Sequence, residues 1–264
     1  MKIRANKLRE ALKNGRPSLG TRVESTWPYI TEIASSSGLF DYVEFEGEYA
    51  VYDQADLENI CRAAELGGCS TVVKIDRQNS AFMAQKAIAS GANGILIADL
   101  YTADEVRDFI YSITPSSPNG GIFGRPSRRL GMNGSGSMTM ADYVKMVNDV
   151  VVMVMVEKEE TMKNLREICQ IPRVDMIIFG PWDYSMNVGW EPQRDKEKIL
   201  EVHKEMIRIC QENNVEPCVQ VDSASEIPPY RELGVKHFNV GDEVCMLMDY
   251  YALEGKAARK MLDM

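Results

Sequence analysis

The residues Val150-Val-Val-Met-Val-Met-Val156 form an uninterrupted apolar run that ends at Glu157. A parallel strand with helices on both faces of its sheet is apolar on both sides, so such a run is typical of parallel β-structure. A helical pattern, Lys158–Cys169, follows the run, and a second apolar run, Met176–Phe179, follows that helix. This order predicts a strand–helix–strand unit with parallel strands.

The same alternation extends in both directions along the chain. The predicted strands are Ser18–Val23, Tyr42–Gly47, Thr71–Ile75, Gly94–Ala98, Val150–Glu157, Asp175–Gly180, Glu216–Val221 and His237–Gly241. The predicted helices are Asp53–Leu66, Ser80–Ser90, Thr102–Ser112, Thr139–Val147, Lys158–Cys169, Asp195–Asn213 and Ala224–Leu233. Eight such strands in 264 residues predict one α/β domain over residues 1–264, a (β/α)8 TIM barrel. A doubly wound open sheet is the alternative, but it rarely shows eight such units in so short a chain. No GxGxxG or Walker A loop follows any strand, so a phosphate-binding loop is not predicted.

The amino-acid composition limits the classes of molecule that this chain is expected to bind. The chain carries a net charge of −9, with 45% hydrophobic and 26% charged residues, as in an ordinary globular enzyme. An acidic balance argues against nucleic acid, because phosphate binding favours a basic surface. No apolar run reaches the length of a membrane span, no signal-peptide pattern opens the chain, and its six cysteines show no CxxC spacing. We therefore expect a cytoplasmic protein that binds neither membrane nor nucleic acid.

Acidic residues stand at the carboxyl ends of the predicted strands, where barrel enzymes place their active sites. The set comprises Glu44, Glu46, Glu48, Asp76, Asp99, Glu157, Asp183, Asp222 and Asp242, with Lys74 among them. Like charges that converge in this way repel one another unless a cation lies between them. Mg²⁺ or Mn²⁺ prefers carboxylate oxygens, whereas Zn²⁺ more often takes histidine or cysteine. The pattern therefore predicts a site for Mg²⁺ or Mn²⁺.

The chain has only two histidines, and neither is expected in this site. His237 begins the last predicted strand and so belongs to the opposite end of the barrel. His203 lies within a long predicted helix, where we expect it on the surface. An imidazole base is therefore not expected.

Two stretches resemble a known family. Gly180-Pro-Trp-Asp-Tyr-Ser185 with Val188-Gly189 resembles the GPxDLS…G signature of the HpcH/HpaI aldolase/citrate lyase family, and Phe40–Ala50 is similar to its FDWxxIDxEHA stretch. The resemblance implies a barrel of the phosphoenolpyruvate/pyruvate-domain type. It also implies a metal-dependent aldehyde-lyase, a class II aldolase, that cleaves or forms 4-hydroxy-2-oxo acids from a 2-oxo acid and an aldehyde.

The resemblance also implies roles for individual residues. Glu157 and Asp183 would hold the metal, which would act as a Lewis acid for the pyruvate-type enolate left by C3–C4 cleavage. The backbone around Gly180, Pro181 and Trp182 would hold the substrate carboxylate. Family members often form trimers or hexamers, so a homo-oligomer that exchanges the C-terminal helix, residues 244–264, is expected.

This chain departs from the family at the proton-transfer residues. Tyr49 stands at the catalytic histidine, Ala89 at its aspartate partner and Lys74 at the arginine that steadies the oxo group. Three interpretations follow. Metal-bound water works with Tyr49 or Glu48 to move the proton, or Lys74 forms a Schiff base, or the barrel binds an oxo acid without turnover.

Two arginines extend the predicted substrate site. Arg22 ends the first strand, where the family often has an apolar aromatic residue, and this suggests a more polar or anionic substrate. Arg125, with Arg128 and Arg129, lies in the irregular segment Thr114–Met138. These guanidinium groups would bind a distal carboxylate or phosphate, or else contact another subunit.

Overall fold

Eight parallel strands close into a barrel in chain order in this computed structural model, which describes residues 5–118, 120–126 and 139–264. The strands are β1 Ser18–Val23, β2 Tyr42–Phe45, β3 Ser70–Ile75, β4 Gly94–Ile97, β5 Val151–Val156, β6 Met176–Phe179, β7 Glu216–Val221 and β8 His237–Asp242. Strand β1 pairs with both β2 and β8, which closes the barrel. The predicted (β/α)8 fold is confirmed, and each strand lies within two residues of its predicted bounds.

Helices separate the strands and cover the barrel from outside. They are α1 Lys7–Lys13, α2 Pro28–Ser36, α3 Gln54–Leu66, α4 Ser80–Ser90, α5 Ala103–Ile113, α6 Met140–Asn148, α7 Glu159–Ile168, α8 Pro181–Val188, α9 Lys196–Glu212, α10 Ile227–Glu232 and α11 Glu243–Met261. A 3₁₀ turn, Ala224–Glu226, precedes α10. The sequence patterns missed α2 and α8, both of which begin with a proline. Proline is favoured in the first turn because it has no N–H to leave unpaired, and this signal could have located both helices.

Much of the barrel interior is filled by one apolar cluster, although Glu44 and Asn239 are also fully buried. Buried side chains from every second strand position form it, including Tyr42, Leu96, Met153 and Ile178, and Leu8 of α1 packs against this cluster. All six residues of β5 are buried, since one face lines the interior and the other packs against helices. The polar groups at the carboxyl end therefore lie above this packed cluster.

Neither histidine belongs to the carboxyl ends of the strands. His237 lies at the amino end of β8, and His203 lies in the helical layer outside the barrel. His237 starts β8, where its Nδ1 lies 2.8 Å from Ser18 Oγ, as its position in the strand predicts. The prediction for His203 is wrong, because this residue is buried between the rings of Phe179 and Tyr230, each 4.9 Å from its own ring centroid. Burial lowers the pKa of His203 to about 4, so it is a neutral packing residue.

Two further findings bear on the sequence predictions. Among the described residues no helix has the length and apolar character needed to cross a bilayer. The predicted irregular segment is described only in part: Pro115 and Phe123 form an isolated β-bridge, and Arg128 and Arg129 lie outside the described residues.

Candidate active site

Three carboxylates from three different strand ends meet at the carboxyl end of the barrel. Glu48 follows β2, Asp99 follows β4 and Glu157 follows β5. One carboxylate oxygen of each lies within 4.8 Å of the others. We call these three residues the carboxylate cluster. Residues far apart in the sequence meet here because parallel strands end at the same edge of a barrel.

Glu157 is the deepest member of the carboxylate cluster. Its side chain is 1% exposed, and neither oxygen has a hydrogen-bond partner among the described residues. Burial raises its pKa to about 7, although Lys74 and Lys158 act in the opposite direction. A Cβ at position 180 would lie 3.1 Å from the Glu157 Cβ, so Gly180 leaves room for this carboxylate. A buried carboxylate that accepts no hydrogen bond is costly, so these residues fit a bound divalent cation.

Lys74 joins the carboxylate cluster through Glu48. Its Nζ lies 2.7 Å from Glu48 Oε2 and 3.5 Å from Glu46 Oε2. The turn that brings Glu48 here passes close to β3, because a Cβ on Gly47 would come within 2.7 Å of the Lys74 carbonyl oxygen. Burial lowers the pKa of Lys74, but Glu46 and Glu48 outweigh it and raise that pKa well above its usual range. Lys74 is therefore an ammonium ion at neutral pH.

Asp99 and Lys158 form a pair that the sequence interpretation did not single out. The Lys158 Nζ lies 2.9 Å from Asp99 Oδ1 and 3.7 Å from Glu157 Oε1. Asp99 has a left-handed backbone, with φ of 58°, which aspartate tolerates better than most residues. The sequence placed Asp99 in the ring of acidic residues, but only the fold brings it beside Glu157.

Asp183, the other predicted metal ligand, stands next to the cluster in the first turn of α8. The Tyr49 hydroxyl donates to Asp183 Oδ2 at 3.3 Å. The Tyr49 ring also faces the Lys74 ammonium, 4.6 Å from the ring centroid. Burial raises the pKa of Tyr49 far above its usual value, although Lys74 lowers it. Tyr49 therefore remains a hydrogen-bond donor and is not a base at neutral pH.

The start of α8 presents backbone donors beside Asp183. Gly180 precedes the helix without a side-chain cap, and Pro181 has no N–H to donate. The first-turn N–H groups of Trp182 and Asp183 have no acceptor within the helix. The Trp182 side chain is 63% exposed, so it is open to solvent rather than part of the core.

The two predicted substrate arginines lie apart. Arg22 lies at the mouth of the barrel, where its Nη2 is 3.5 Å from Asp242 Oδ2. Arg125 is exposed, and nearby Phe123 donates its N–H to the carbonyl of Thr114, which ends α5. The last turn of α5 lies at the amino end of the barrel, so within one chain the structure does not bring Arg125 to the carboxylate cluster. Its role in substrate binding stays a prediction.

Comparison with known proteins identifies the family of this chain. The family model for HpcH/HpaI aldolase/citrate lyase matches residues 20–228. The chain belongs to the HpcH/HpaI aldolase/citrate lyase family. The matched region contains Glu48, Lys74, Asp99, Glu157 and Asp183, so the candidate active site lies wholly within the family's domain.

Individual members of the family are also similar to this chain. The chain is 26% identical to 4-hydroxy-2-oxo-heptane-1,7-dioate aldolase of Escherichia coli, over 96% of this chain and 94% of that enzyme. It is 28% identical to 2-keto-3-deoxy-L-rhamnonate aldolase of Escherichia coli O17:K52:H18, over 77% of this chain and 74% of that one. The crystal structure of an HpcH/HpaI aldolase from Desulfitobacterium hafniense DCB-2 superimposes with a TM-score of 0.87 and 24% identity, over 97% of each chain. These HpcH/HpaI relatives are aldolases, which supports a lyase activity for this chain.

Proposed function

We propose that this chain is a divalent-metal-dependent aldolase that cleaves or forms a 4-hydroxy-2-oxo acid. The observation that carries the proposal is Glu157, a fully buried carboxylate with no hydrogen-bond partner among the described residues, beside Glu48 and Asp99. Glu157 and Asp183 would hold Mg²⁺ or Mn²⁺, with Asp99 close enough to contribute. When bound, the cation would supply Lewis-acid stabilisation of the negative charge that develops on the 2-oxo group.

The remaining groups of the site have distinct tasks. The first-turn N–H groups of Trp182 and Asp183 would hold the substrate carboxylate, as the start of a helix favours an anion. The Lys74 ammonium would balance charge beside the enolate. Glu48 would take the proton from the 4-hydroxyl group during cleavage and return it during synthesis. Tyr49 would hold Asp183 in place through its hydroxyl hydrogen bond.

A Schiff base at Lys74 is the second mechanism to weigh, and the geometry disfavours it. Schiff-base formation needs a neutral amine, whereas two carboxylates hold Lys74 in its charged form. A barrel that binds oxo acids without turnover would not need a proton acceptor such as Glu48 beside a cation site.

The test is the release of pyruvate from 4-hydroxy-2-oxo acids by the purified protein. We expect EDTA to abolish activity and added Mg²⁺ or Mn²⁺ to restore it, and we expect Glu157→Ala and Asp183→Ala to be inactive. Glu160→Gln, an exposed change three residues beyond Glu157, is the matched control. Activity that survives EDTA, together with borohydride trapping of the substrate on Lys74, would contradict the metal mechanism. Tight binding of an oxo acid without turnover of any would indicate a binding protein.

We also propose that the protein is a homo-oligomer, a trimer or hexamer, in which a second copy covers α11. No residue of this helix is buried in a single chain, and it exposes Met248, Tyr250, Tyr251 and Leu253. So many exposed large apolar side chains on one helix are unusual on a monomer. Light scattering after gel filtration tests this, and a monomer of full activity would contradict it.

Finally, we propose that the enzyme acts in the cytoplasm on a small-molecule 2-oxo acid and aldehyde, without a nucleic acid or membrane partner. Cys69, Cys218 and Cys245 carry free thiols, as expected of a protein kept in a reducing compartment. Fractionation of cells that express the protein would test the location.

A further inference from the structure

Two lysines divide the carboxylate cluster between them. The Lys74 ammonium faces Glu48, to which the proposed function assigns proton transfer. The Lys158 ammonium faces Asp99 and Glu157, to which it assigns the divalent cation. The proposed function gives Lys74 a task beside the enolate, but it leaves Lys158 without one.

The Lys158 side chain is directed at the cluster rather than into solvent. It is 21% exposed, and its Nζ lies 2.9 Å from Asp99 Oδ1 and 3.7 Å from Glu157 Oε1. Asp183 is also close enough for its charge to act on Lys158. This ammonium therefore faces the same carboxylates that would hold the cation.

Hydrogen bonds between α7 and the residues that follow β4 keep Lys158 in this position. Thr161 Oγ1 donates to the carbonyl oxygen of Leu100 at 3.1 Å, and Asn164 Nδ2 donates to that of Tyr101 at 2.9 Å. Lys158 is the N-cap residue of α7, and its aspartate partner directly precedes the first of these two carbonyl groups. The ion pair is therefore built into the packing of two chain segments.

The ion pair balances charge in the cluster but leaves its oxygens available. Asp99 Oδ1 and both oxygens of Glu157 make no hydrogen bond of good geometry among the described residues. A divalent cation carries twice the charge of an ammonium and takes carboxylate oxygens as direct ligands. A cation held by these oxygens would also be repelled by the ammonium beside them.

We infer that Lys158 competes with the divalent cation for Asp99 and Glu157 and so sets the metal affinity of the site. The inference rests on the proposed metal-dependent function. The tethered ammonium stabilises these carboxylates before a cation binds and weakens the binding of that cation. Metal binding is then readily reversible, and the fraction of active enzyme follows the concentration of free Mg²⁺ or Mn²⁺.

The experiment measures the Kd of Mn²⁺ by calorimetric titration of protein that has been treated with EDTA and dialysed. The wild-type protein is compared with Lys158→Gln, which removes the charge, and Lys158→Arg, which keeps it. Lys163→Gln is the matched control, because it makes the same charge change on the same helix at a side chain that is 60% exposed. The unfolding temperature of each protein is measured in EDTA and in Mn²⁺. The KM of a 4-hydroxy-2-oxo acid is measured at saturating Mn²⁺.

We expect Lys158→Gln to bind Mn²⁺ about ten-fold more tightly, the effect of removing a unit charge close to a divalent cation in a largely aqueous mouth. Lys158→Arg and Lys163→Gln should bind Mn²⁺ as the wild-type protein does. In EDTA, Lys158→Gln should unfold at a lower temperature, because its carboxylates have lost their counter-charge. Mn²⁺ should then raise that temperature by more than it does in the wild-type protein.

Three results would overturn the inference and leave the proposed function standing. One is Mn²⁺ affinity that is unchanged or weaker in Lys158→Gln. Another is equal tightening in Lys163→Gln or Lys158→Arg, since the charge at this position would then not be the cause. The third is a higher KM in Lys158→Gln with an unchanged Kd of Mn²⁺, which would make Lys158 a substrate-binding residue. If neither the wild-type protein nor Lys158→Gln binds Mn²⁺, the proposed function fails and the inference fails with it.

Discussion

The two ends of the barrel hold their buried charges in opposite ways. At the amino end, the Arg9 guanidinium donates to both oxygens of Asp175, with Nη2 2.7 Å from Oδ2, and to the carbonyl oxygens of Asp149 and Val150. Asp175 also accepts the N–H of Val152. At the carboxyl end, Glu157 is more deeply buried and accepts no hydrogen bond from the described residues. The difference separates a charge that holds the architecture from a charge that the proposed cation would balance.

Glu157→Gln tests whether Glu157 differs from Asp175 in this way. We expect turnover to fall at least about a thousand-fold, roughly 4 kcal/mol of barrier, because a metal ligand is lost. The unfolding temperature in EDTA should stay the same or rise, because the amide buries no charge. Assays of turnover and thermal unfolding check both results, with Glu160→Gln as the control. A variant that stays active but unfolds at a lower temperature would class Glu157 with the structural charges.

Glu44 lies between the two ends, and its carboxyl group is only half satisfied, because Gln220 Nε2 donates to Oε1 at 2.9 Å while Oε2 accepts no hydrogen bond from the described residues. Burial, with the nearby charge of Glu46, raises its pKa from 4.5 to about 8. Between these values the folded protein keeps a proton that the unfolded chain has released. The resulting stability is present below pH 4.5 and is lost as the pH rises to about 8.

Glu44→Gln should therefore remove this pH dependence while it keeps the hydrogen bond from Gln220. Relative to the wild-type protein, we expect the variant to gain up to about 4 kcal/mol of unfolding free energy between pH 5 and pH 8, at about 1.4 kcal/mol per pH unit. Urea unfolding at both pH values measures this gain. An equal difference at the two pH values would show that Glu44 does not keep its proton.

Arg9→Ala tests the amino end. We expect a loss of about 3 kcal/mol of unfolding free energy, because Asp175 is left half-buried without its partner. Turnover per folded molecule should not change, since Arg9 lies at the far end of the barrel from the site. Arg62→Ala, which removes an exposed ion pair with Glu58, should cost less than about 1 kcal/mol. Equal losses in the two variants, measured by urea unfolding, would remove the structural role assigned to Arg9.

Tyr49→Phe has the smallest expected effect and tests whether Asp183 belongs to the metal site. The variant loses one hydrogen bond to Asp183, worth about 1 kcal/mol, so we expect Mn²⁺ to bind about five-fold more weakly. Calorimetric titration with Mn²⁺ measures the change, and Tyr29→Phe, at an exposed position, is the control. Unchanged affinity would indicate that Tyr49 does not position a metal ligand.

The barrel fold and several residues of the candidate active site could be predicted from the amino-acid sequence. Parallel strands covered on both faces are largely apolar, so runs such as Val150–Val156 reveal several of the strands and, at the end of each, the residue that faces the mouth. Glu157 and Lys74 were identified in this way. Helices α2 and α8 were not among the predicted helices, although each begins with a proline, which favours the first turn of a helix.

Only the tertiary structure decided which of the acidic residues act together. Sequence position says that a side chain reaches the mouth, but not which of the other strand ends it faces. Three ion pairs illustrate this point: Asp99 with Lys158, Glu48 with Lys74, and Arg22 with Asp222 and Asp242. Each pair joins residues far apart in the chain and depends on the direction of their side chains. The charge of each group therefore depends on neighbours that closure of the barrel supplies, and so does its chemistry.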